Sequence, residues 1–339
     1  MDLTLHVGQM KSGTTYVQRV LANNRDLLCA NGWTYPGRRE NQQHAVYGLC
    51  GHDIFWVSEV KAEWARLGDA LIREVNRTSE RVVVSAEALS VLAPDGIASI
   101  ISKLGRPRRV LITVRVLHLT LPSAWQQSVK SRHTGSIGDF FRQLSQDRPS
   151  LSGHWRTYAY GEVVKRWAEH APVTAIVVPP ISASGASALW GLFREASGLP
   201  ASVDTNVKPE HANFSVNLET TEVLRAMNAA MSNAALSEEQ KVRLKNSYLR
   251  EFVAPSAHAH GGTPVLPPTE FAEELDKWNR EELDKLKCNA SGLTGDISNL
   301  ETYRGLYSDT HGDAISPVAT ELAHQYVGYW RVRTSNVGA

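Results

Sequence analysis

The sequence has little of three features that each indicate a class of protein. Its three cysteines are far apart and form no C-x-x-C pair, so neither a disulfide framework nor a zinc site is predicted. Lysine plus arginine (36) balances aspartate plus glutamate (35), whereas nucleic-acid binders normally carry a basic excess. No apolar run approaches the ~20 residues of a membrane span, and no basic-then-apolar leader opens the chain. We therefore expect a cytoplasmic protein without nucleic-acid partners or a membrane span, and the oligomeric state stays open.

What the sequence does contain is an alternation of strand-like and helix-like segments. Apolar residues make up 42% and charged residues 21% of the chain, as in a globular protein with a large core. Apolar, β-branched runs predict strands at about residues 2–8, 81–86, 109–115 and 173–178. Helices are predicted at about residues 14–24, 61–77, 94–104, 122–131, 136–146, 159–170, 185–197, 217–233, 237–252 and 268–287. This alternation predicts an α/β fold with a parallel sheet.

The first predicted strand leads into a loop that contains glycine. Leu3-Thr4-Leu5-His6-Val7-Gly8 is followed by Lys11-Ser12-Gly13-Thr14-Thr15. Such a turn at a helix start leaves backbone N–H groups unpaired beside the positive end of the helix dipole, which favours phosphate binding. Gly8 and Gly13 keep the glycine spacing of the nucleotide-triphosphate loop G-x-x-x-x-G-K-[ST], but Lys11 stands before the second glycine instead of after it.

A second candidate phosphate site follows the strand predicted at 109–115. Arg115 ends this strand, and Ser123 follows eight positions later in Leu121-Pro122-Ser123. A guanidinium supplies a forked, permanently charged donor pair, and a serine at a helix start supplies a hydroxyl beside free backbone N–H groups.

These motifs resemble those of sulfotransferases that use 3′-phosphoadenosine 5′-phosphosulfate (PAPS). K-S-G-T-T is similar to their 5′-phosphosulfate loop, and Arg115 with Ser123 is similar to their 3′-phosphate pair in V-R-D-P-x-x-x-x-x-S. The chain departs from that pattern at Val116-Leu117, where Asp-Pro is common. Weaker similarities to the bacterial branch of the family are Tyr160-Gly161, Arg166-Trp167, Val177-Val178-Pro179-Pro180 and Leu189-Trp190.

The resemblance implies a fold, a reaction and a donor. The fold would be a P-loop NTPase-like three-layer α/β arrangement with a central parallel sheet and extra C-terminal helices. The enzyme would move a sulfuryl group from PAPS to an acceptor hydroxyl by in-line transfer, release 3′-phosphoadenosine 5′-phosphate (PAP), and need no metal. The acceptor would be a small molecule, a lipid or a sugar, which the sequence does not distinguish.

Roles for individual residues also follow from the resemblance. The 5′-phosphosulfate would be held by Lys11, Ser12, Gly13, Thr14 and Thr15, with Lys11 stabilising the negative charge that develops on the leaving phosphate. Arg115 and Ser123 would hold the 3′-phosphate. Tyr16 takes the place of a tryptophan that stacks on adenine in cytosolic members, although a core tyrosine is the alternative.

The base that takes the acceptor proton has two candidates. Glu87 follows the strand predicted at 81–86, at the end where parallel sheets bind ligands, and glycan sulfotransferases that resemble this chain use a glutamate in a comparable place. Its alternative role is a carboxylate that stabilises a helix start. His44, in a polar loop, has a suitable pKa, and phenol and hydroxysteroid sulfotransferases use a histidine.

We expect one sulfotransferase-like domain, 1–339. Its nucleotide-binding core would be 1–200, and a mainly helical extension, 201–339, would complete the acceptor site. Two other functions stay open, a P-loop kinase-type phosphotransferase and a catalytically inactive nucleotide-binding regulator.

Overall fold

A parallel sheet forms the centre of the structure, a computed structural model that describes residues 2–78, 80–180, 185–203, 216–232, 234, 236–253, 262–309 and 315–335. Its strands are β1 (Asp2–His6), β2 (Trp33–Thr34), β3 (Arg81–Ser85), β4 (Arg109–Val114), β5 (Val173–Val177) and β6 (Gly292–Thr294). The strand order is β2-β3-β1-β4-β5-β6 and all five pairings are parallel. The predicted α/β class with a parallel sheet is confirmed.

The four predicted strands are short runs of buried apolar residues. Leu3 and Leu5 of β1 and Val82 and Val84 of β3 have no exposed surface, which is typical of parallel strands covered on both faces. β2 and β6 were not predicted from the sequence. They have two and three residues, too few to show a period.

Helices connect the strands and continue beyond them. They are α1 (Thr14–Asn23), α2 (Arg25–Ala30), α3 (Gln43–Cys50), α4 (Ala62–Arg77), α5 (Pro94–Leu104), α6 (Leu117–Lys130), α7 (Ile137–Asp147), α8 (Gly153–Tyr158), α9 (Tyr160–Ala168), α10 (Gly185–Ser197), α11 (Leu218–Ser232), α12 (Glu238–Tyr248), α13 (Ala272–Asn289), α14 (Ser298–Glu301) and α15 (Pro317–Ser335). None of these, within the residues described, is long and apolar enough to cross a membrane.

The start of α6 differs from its prediction. The sequence predicts a helix from about residue 122, with Pro122 in its first turn, whereas α6 begins at Leu117 and contains Pro122 in its interior. The side chain of Asn279, which is 162 residues away, accepts a hydrogen bond from the Leu117 N–H at 3.2 Å. Because a distant residue caps the helix, no local cap in the sequence marks its start.

The chain divides into two compact units, each assembled from three segments. The first consists of Met1–Thr120, Leu144–His211 and Glu274–Arg304. It contains the whole sheet, including β6, which pairs with β5 in register Ala175↔Leu293. Part of the chain beyond residue 200 is thus included in this first unit, because β6 pairs with β5.

The second unit is helical. It consists of Leu121–Gln143, Ala212–Glu273 and Gly305–Ala339. Its largest apolar cluster includes Met227 of α11, Leu244 of α12 and Trp330 of α15. The apolar face of α11 thus has a partner within its own unit.

Candidate functional site

The loop between β1 and α1 has a backbone that few residues adopt. Gly8, Lys11 and Gly13 have φ angles of 115°, 65° and 83°. The left-handed backbone of Gly13 favours glycine, and a Cβ atom there would lie 2.5 Å from Cδ2 of Leu189, which would have to move. A left-handed lysine is uncommon and is typical of functional loops.

Hydrogen bonds to β4 hold the loop in place. The Gln9 N–H donates to the Thr113 carbonyl at 2.9 Å, and the Thr113 N–H donates to the Gly8 carbonyl at 2.7 Å. The Thr113 hydroxyl also donates to Gly8 at 3.0 Å and lies 2.6 Å from the Ser12 hydroxyl. Ser12 is buried and its hydroxyl also donates to the Gln9 carbonyl. The Ser12 side chain therefore shapes the loop, and any ligand contact of Ser12 would come from its backbone.

His6 is a residue of this region that the sequence reasoning did not identify. It is wholly buried at the end of β1, with Nδ1 2.8 Å from the Ser85 hydroxyl and Nε2 3.5 Å from the Thr113 hydroxyl. Burial lowers the pKa of His6 to about 3, so the ring is neutral at pH 7. The available signal was a histidine in a mostly apolar strand, two residues before Gly8.

Three predicted residues come together at the carboxyl ends of three adjacent strands. Lys11 follows β1, Glu87 follows β3 and Arg115 follows β4. Burial lowers the pKa of Lys11; the Glu87 carboxylate opposes that shift and the Arg115 charge adds to it. Burial also lowers the pKa of Arg115. Because β1 lies between β3 and β4, this is the switch point at which open parallel sheets bind ligands.

The Glu87 carboxylate has two close partners in the loop region. It accepts a hydrogen bond from the Thr14 hydroxyl at the start of α1. Burial raises the pKa of Glu87, and the Thr14 hydrogen bond and the Lys11 charge partly offset this rise. The residue is thus a carboxylate with an increased proton affinity beside a lysine.

Glu87 begins a 3-10 helix, Glu87–Val91, which we name the Glu87 turn. Two side chains of α9 bind it. Arg166 donates to the Ser90 carbonyl at 2.7 Å, and the indole N–H of Trp167 donates to the Leu89 carbonyl at 3.2 Å. The Arg166-Trp167 pair, which the sequence indicated only as a family-like motif, therefore positions the turn that carries Glu87.

Tyr158 is a further residue near Glu87 that sequence reasoning missed. Burial raises the pKa of Tyr158, and the negative charge of Glu87 raises it further. The side chain of Gln9, in the β1–α1 loop, donates to the Tyr158 carbonyl. Tyr158 belongs to the six-residue helix α8, which lies between the helices predicted at 136–146 and 159–170 and was not predicted itself.

His44, the second candidate base, has its contacts in another cluster. Its ring stacks on Trp64 with centroids 5.4 Å apart, and its Nδ1 contacts Arg39. Burial, with the Arg39 charge adding to it, lowers the pKa of His44. The preceding residue, Gln43, accepts the Ala88 N–H of the Glu87 turn at 3.0 Å. Of these two neighbours, Gln43 reaches the turn and His44 packs on α4.

Three other predicted site residues lie in helices α1 and α6. Ser123 is the seventh residue of α6, so it does not lie at the helix start expected from the sequence. Tyr16 is partly buried and packs against the apolar cluster that contains Val17 and Leu189, as in the core alternative. The remaining loop residue, Thr15, is partly buried in the first turn of α1.

The site combines two cations and one carboxylate under a strained loop. It can bind an anion through Lys11 and Arg115 and remove a proton through Glu87. No protein-family model matches the chain, and no curated protein is similar to it. A function therefore has to be argued from this geometry and from the motifs.

Proposed function

We propose that the protein is a sulfotransferase that moves a sulfuryl group from PAPS to an acceptor hydroxyl. The observation that carries the proposal is the meeting of Lys11, Glu87 and Arg115 at the switch point of the sheet. The sulfotransferase-like motifs assign a lysine and an arginine to phosphate groups and a glutamate to the proton. The same three residues are the ones that interact.

The chemistry of this donor set fits PAPS. Two partly buried cations lie near a single carboxylate, so the site has an excess of positive charge that suits a ligand with phosphate groups at both ends. The loop that carries Lys11 and Gly13 opens α1, where the helix dipole also favours an anion. Lys11, Gly13, Thr14 and Thr15 would hold the 5′ end, and Arg115 would hold the 3′-phosphate.

Glu87, Lys11 and Thr14 each have a separate role in the proposed reaction. PAPS, when bound, supplies the sulfuryl group. Glu87 removes the proton of the acceptor hydroxyl, for which a carboxylate of raised pKa is better suited than an ordinary one. The Lys11 ammonium stabilises the charge that develops on the phosphate oxygen. Thr14 keeps the Glu87 carboxylate oriented through its hydroxyl.

One contact favours a second candidate, a metal-dependent phosphotransferase. The hydroxyl of Thr14 and the carboxylate of Glu87 are hydrogen-bonded, and a loop hydroxyl with a strand-end carboxylate is also the pair that holds magnesium in P-loop enzymes. Strict dependence on magnesium with ATP turnover would establish that candidate. Sulfuryl transfer that continues in excess EDTA would exclude it.

Calorimetry with PAP tests the proposed function. We expect PAP to bind, and we expect Lys11→Ala and Arg115→Ala each to weaken binding about tenfold or more, because a hydrogen bond to a charged group contributes ~1.5–3 kcal/mol. The exposed residues Lys165 and Arg66 supply matched controls, Lys165→Ala and Arg66→Ala, which should bind as the wild type does. No heat with the wild type, or equal loss in the controls, contradicts the proposal; PAP binding without transfer to any acceptor would indicate the inactive regulator.

A further inference from the structure

A cluster of ionisable side chains lies behind the Glu87 turn. Lys285 of α13 bonds to Glu162 at 2.7 Å and to the wholly buried Glu282 at 2.8 Å. Both carboxylates also attract Arg166 of α9, which in turn is repelled by Arg156 of α8. The cluster therefore contains three cations and two carboxylates. It has one positive charge that no carboxylate of the cluster balances.

The unbalanced charge belongs to Arg156. Its side chain makes no hydrogen bond or ion pair with any residue that the structure describes, and its Nε is buried. The Nε of Arg166 is likewise buried without a hydrogen bond, although its Nη2 donates to the Ser90 carbonyl at 2.7 Å. Burial, together with the charge of Arg156, lowers the pKa of Arg166 to about 10. Two like charges close to each other repel, and an anion between them would remove that repulsion.

The pair is connected to the proposed base through the Glu87 turn. Ser90, whose carbonyl accepts from Arg166, donates its own hydroxyl to the Glu87 carbonyl at 2.7 Å. Helix α8, which carries Arg156, contacts the same turn. It ends at Tyr158, whose pKa is raised by the Glu87 charge. A group bound at Arg156 would therefore lie on the Glu87 side of the site.

We propose that Arg156, supported by Arg166, binds an oxyanion of the acceptor, so that the acceptor is a hydroxylated compound that carries a carboxylate or sulfate group. The inference rests on the proposed function, because it places the oxyanion on the molecule whose hydroxyl is sulfated. A guanidinium matches the geometry of such a group through two parallel hydrogen bonds. The acceptor is then a phenolic acid, an acidic sugar or a sulfated sugar, and the test distinguishes these carriers.

Paired probes that differ only in charge test the subsite. The probes are 4-hydroxybenzoate against 4-hydroxybenzamide, methyl glucuronide against methyl glucoside, and methyl glucoside 6-sulfate against methyl glucoside, titrated into protein saturated with PAP. For at least one pair the wild type should bind the charged member about tenfold more tightly than the neutral one. Arg156→Gln should reduce that ratio to near one, and Arg66→Gln, a variant of an exposed arginine of α4, should keep it. Binding of PAP itself should be the same in all three proteins.

Each result either supports or overturns the proposed oxyanion subsite. Equal affinity for charged and neutral probes in the wild type overturns the subsite, as does a charge preference that persists in Arg156→Gln. If Arg156→Gln also loses PAP binding, Arg156→Lys must restore PAP binding with a reduced charge preference, or the subsite is rejected. If the wild type fails to bind PAP yet shows a charge preference that depends on Arg156, the anion site stands and the sulfotransferase proposal fails. If PAP binds and the wild type shows no charge preference, the anion site is rejected and the sulfotransferase proposal stands.

Discussion

Glu87 is subject to opposing influences whose balance sets its proton affinity. Burial favours its protonated form, whereas the Thr14 hydroxyl and the Lys11 charge favour its ionised form, and the net result is a raised pKa. Lys11 is affected in the opposite direction, because burial and Arg115 lower its pKa more than Glu87 raises it. Glu87 ionises at a higher pH than an ordinary glutamate, and Lys11 loses its proton at a lower pH than an ordinary lysine. The enzyme is therefore active in the pH range between these two titrations.

We predict a bell-shaped pH dependence of sulfuryl transfer from this pair. Activity should rise with pH as Glu87 ionises, with the acid limb above the ordinary value of 4.5. Activity should fall again as Lys11 loses its proton, with the alkaline limb below 10.5. Steady-state rates measured from pH 4 to 11 check both limbs. An acid limb at or below pH 4.5 would show that Glu87 is not the group that titrates.

The second prediction separates the two candidate bases. Glu87→Gln keeps an oxygen that can accept from Thr14 but cannot take a proton, so kcat should fall by about 10²–10⁴ while PAP affinity is retained. His44→Gln should leave kcat within about twofold, because its ring packs on Trp64. If the two variants exchange these outcomes, the base is His44.

The sequence identified the charged residues of the site but not the neutral ones beneath it. Arg115 directly follows an apolar run, and Lys11 and Glu87 follow theirs after a few residues, so the rule for strand ends finds them. His6, Ser85 and Thr113 interact over 79 and 107 residues of chain. Their pairing depends on strand register, which short runs do not specify.

At the scale of elements, the β1–α1 loop and the start of α6 are fixed in different ways. The loop is fixed by its own glycines, of which Gly13 lies at φ 83° against Leu189. The start of α6 is fixed from a distance, since the buried Asn279 accepts from the Leu117 N–H and donates to the Leu300 carbonyl at 2.6 Å. The glycines of the loop can be recognised in the sequence as a motif, whereas no residue near the start of α6 indicates the cap by Asn279.

Gly13→Ala should destabilise the protein by about 1–3 kcal/mol and weaken PAP binding, because it adds a side chain at a left-handed position. Gly191→Ala is the matched control. A Cβ there would meet nothing within 4 Å and the residue lies inside α10, so alanine should stabilise the helix by up to ~1 kcal/mol. Urea unfolding of both variants gives the comparison; equal effects would mean that the loop is not as constrained as described.

Asn279→Ala should cost about 1–3 kcal/mol, because it leaves the buried Leu117 N–H without its acceptor. Asn289→Ala, at the last position of the same helix α13, removes only a contact to the Lys285 carbonyl within that helix. Its cost should be below ~1 kcal/mol. Denaturant midpoints distinguish the two, and a larger loss for Asn289 would contradict the assigned role of Asn279.

At the scale of the whole molecule, stability should depend on keeping the centre of the sheet uncharged. His6 lies at the middle of the sheet, and burial lowers its pKa from 6.5 to about 3. In the unfolded chain it would take up a proton below pH 6.5, whereas the folded protein would not until about pH 3. The contribution of the neutral ring is therefore fully present above pH 6.5 and is lost progressively as the pH falls to about 3.

Urea unfolding at pH 7.5 and pH 4.5 tests this dependence. The wild type should lose about 2–3 kcal/mol more than His6→Gln between the two pH values, because glutamine can bond to Ser85 and Thr113 but does not titrate. His52→Gln, a variant of an exposed histidine, should lose as much as the wild type. An identical loss in His6→Gln would assign the acid sensitivity to other groups.

The last strand of the sheet has a consequence for synthesis. β6 spans Gly292–Thr294 and pairs with β5 across more than a hundred residues. A nascent polypeptide emerges from the ribosome in order, so the edge of β5 stays open to other partners until the residues of β6 have been translated. Overexpression should therefore give more folded protein in the presence of a chaperone that covers that edge.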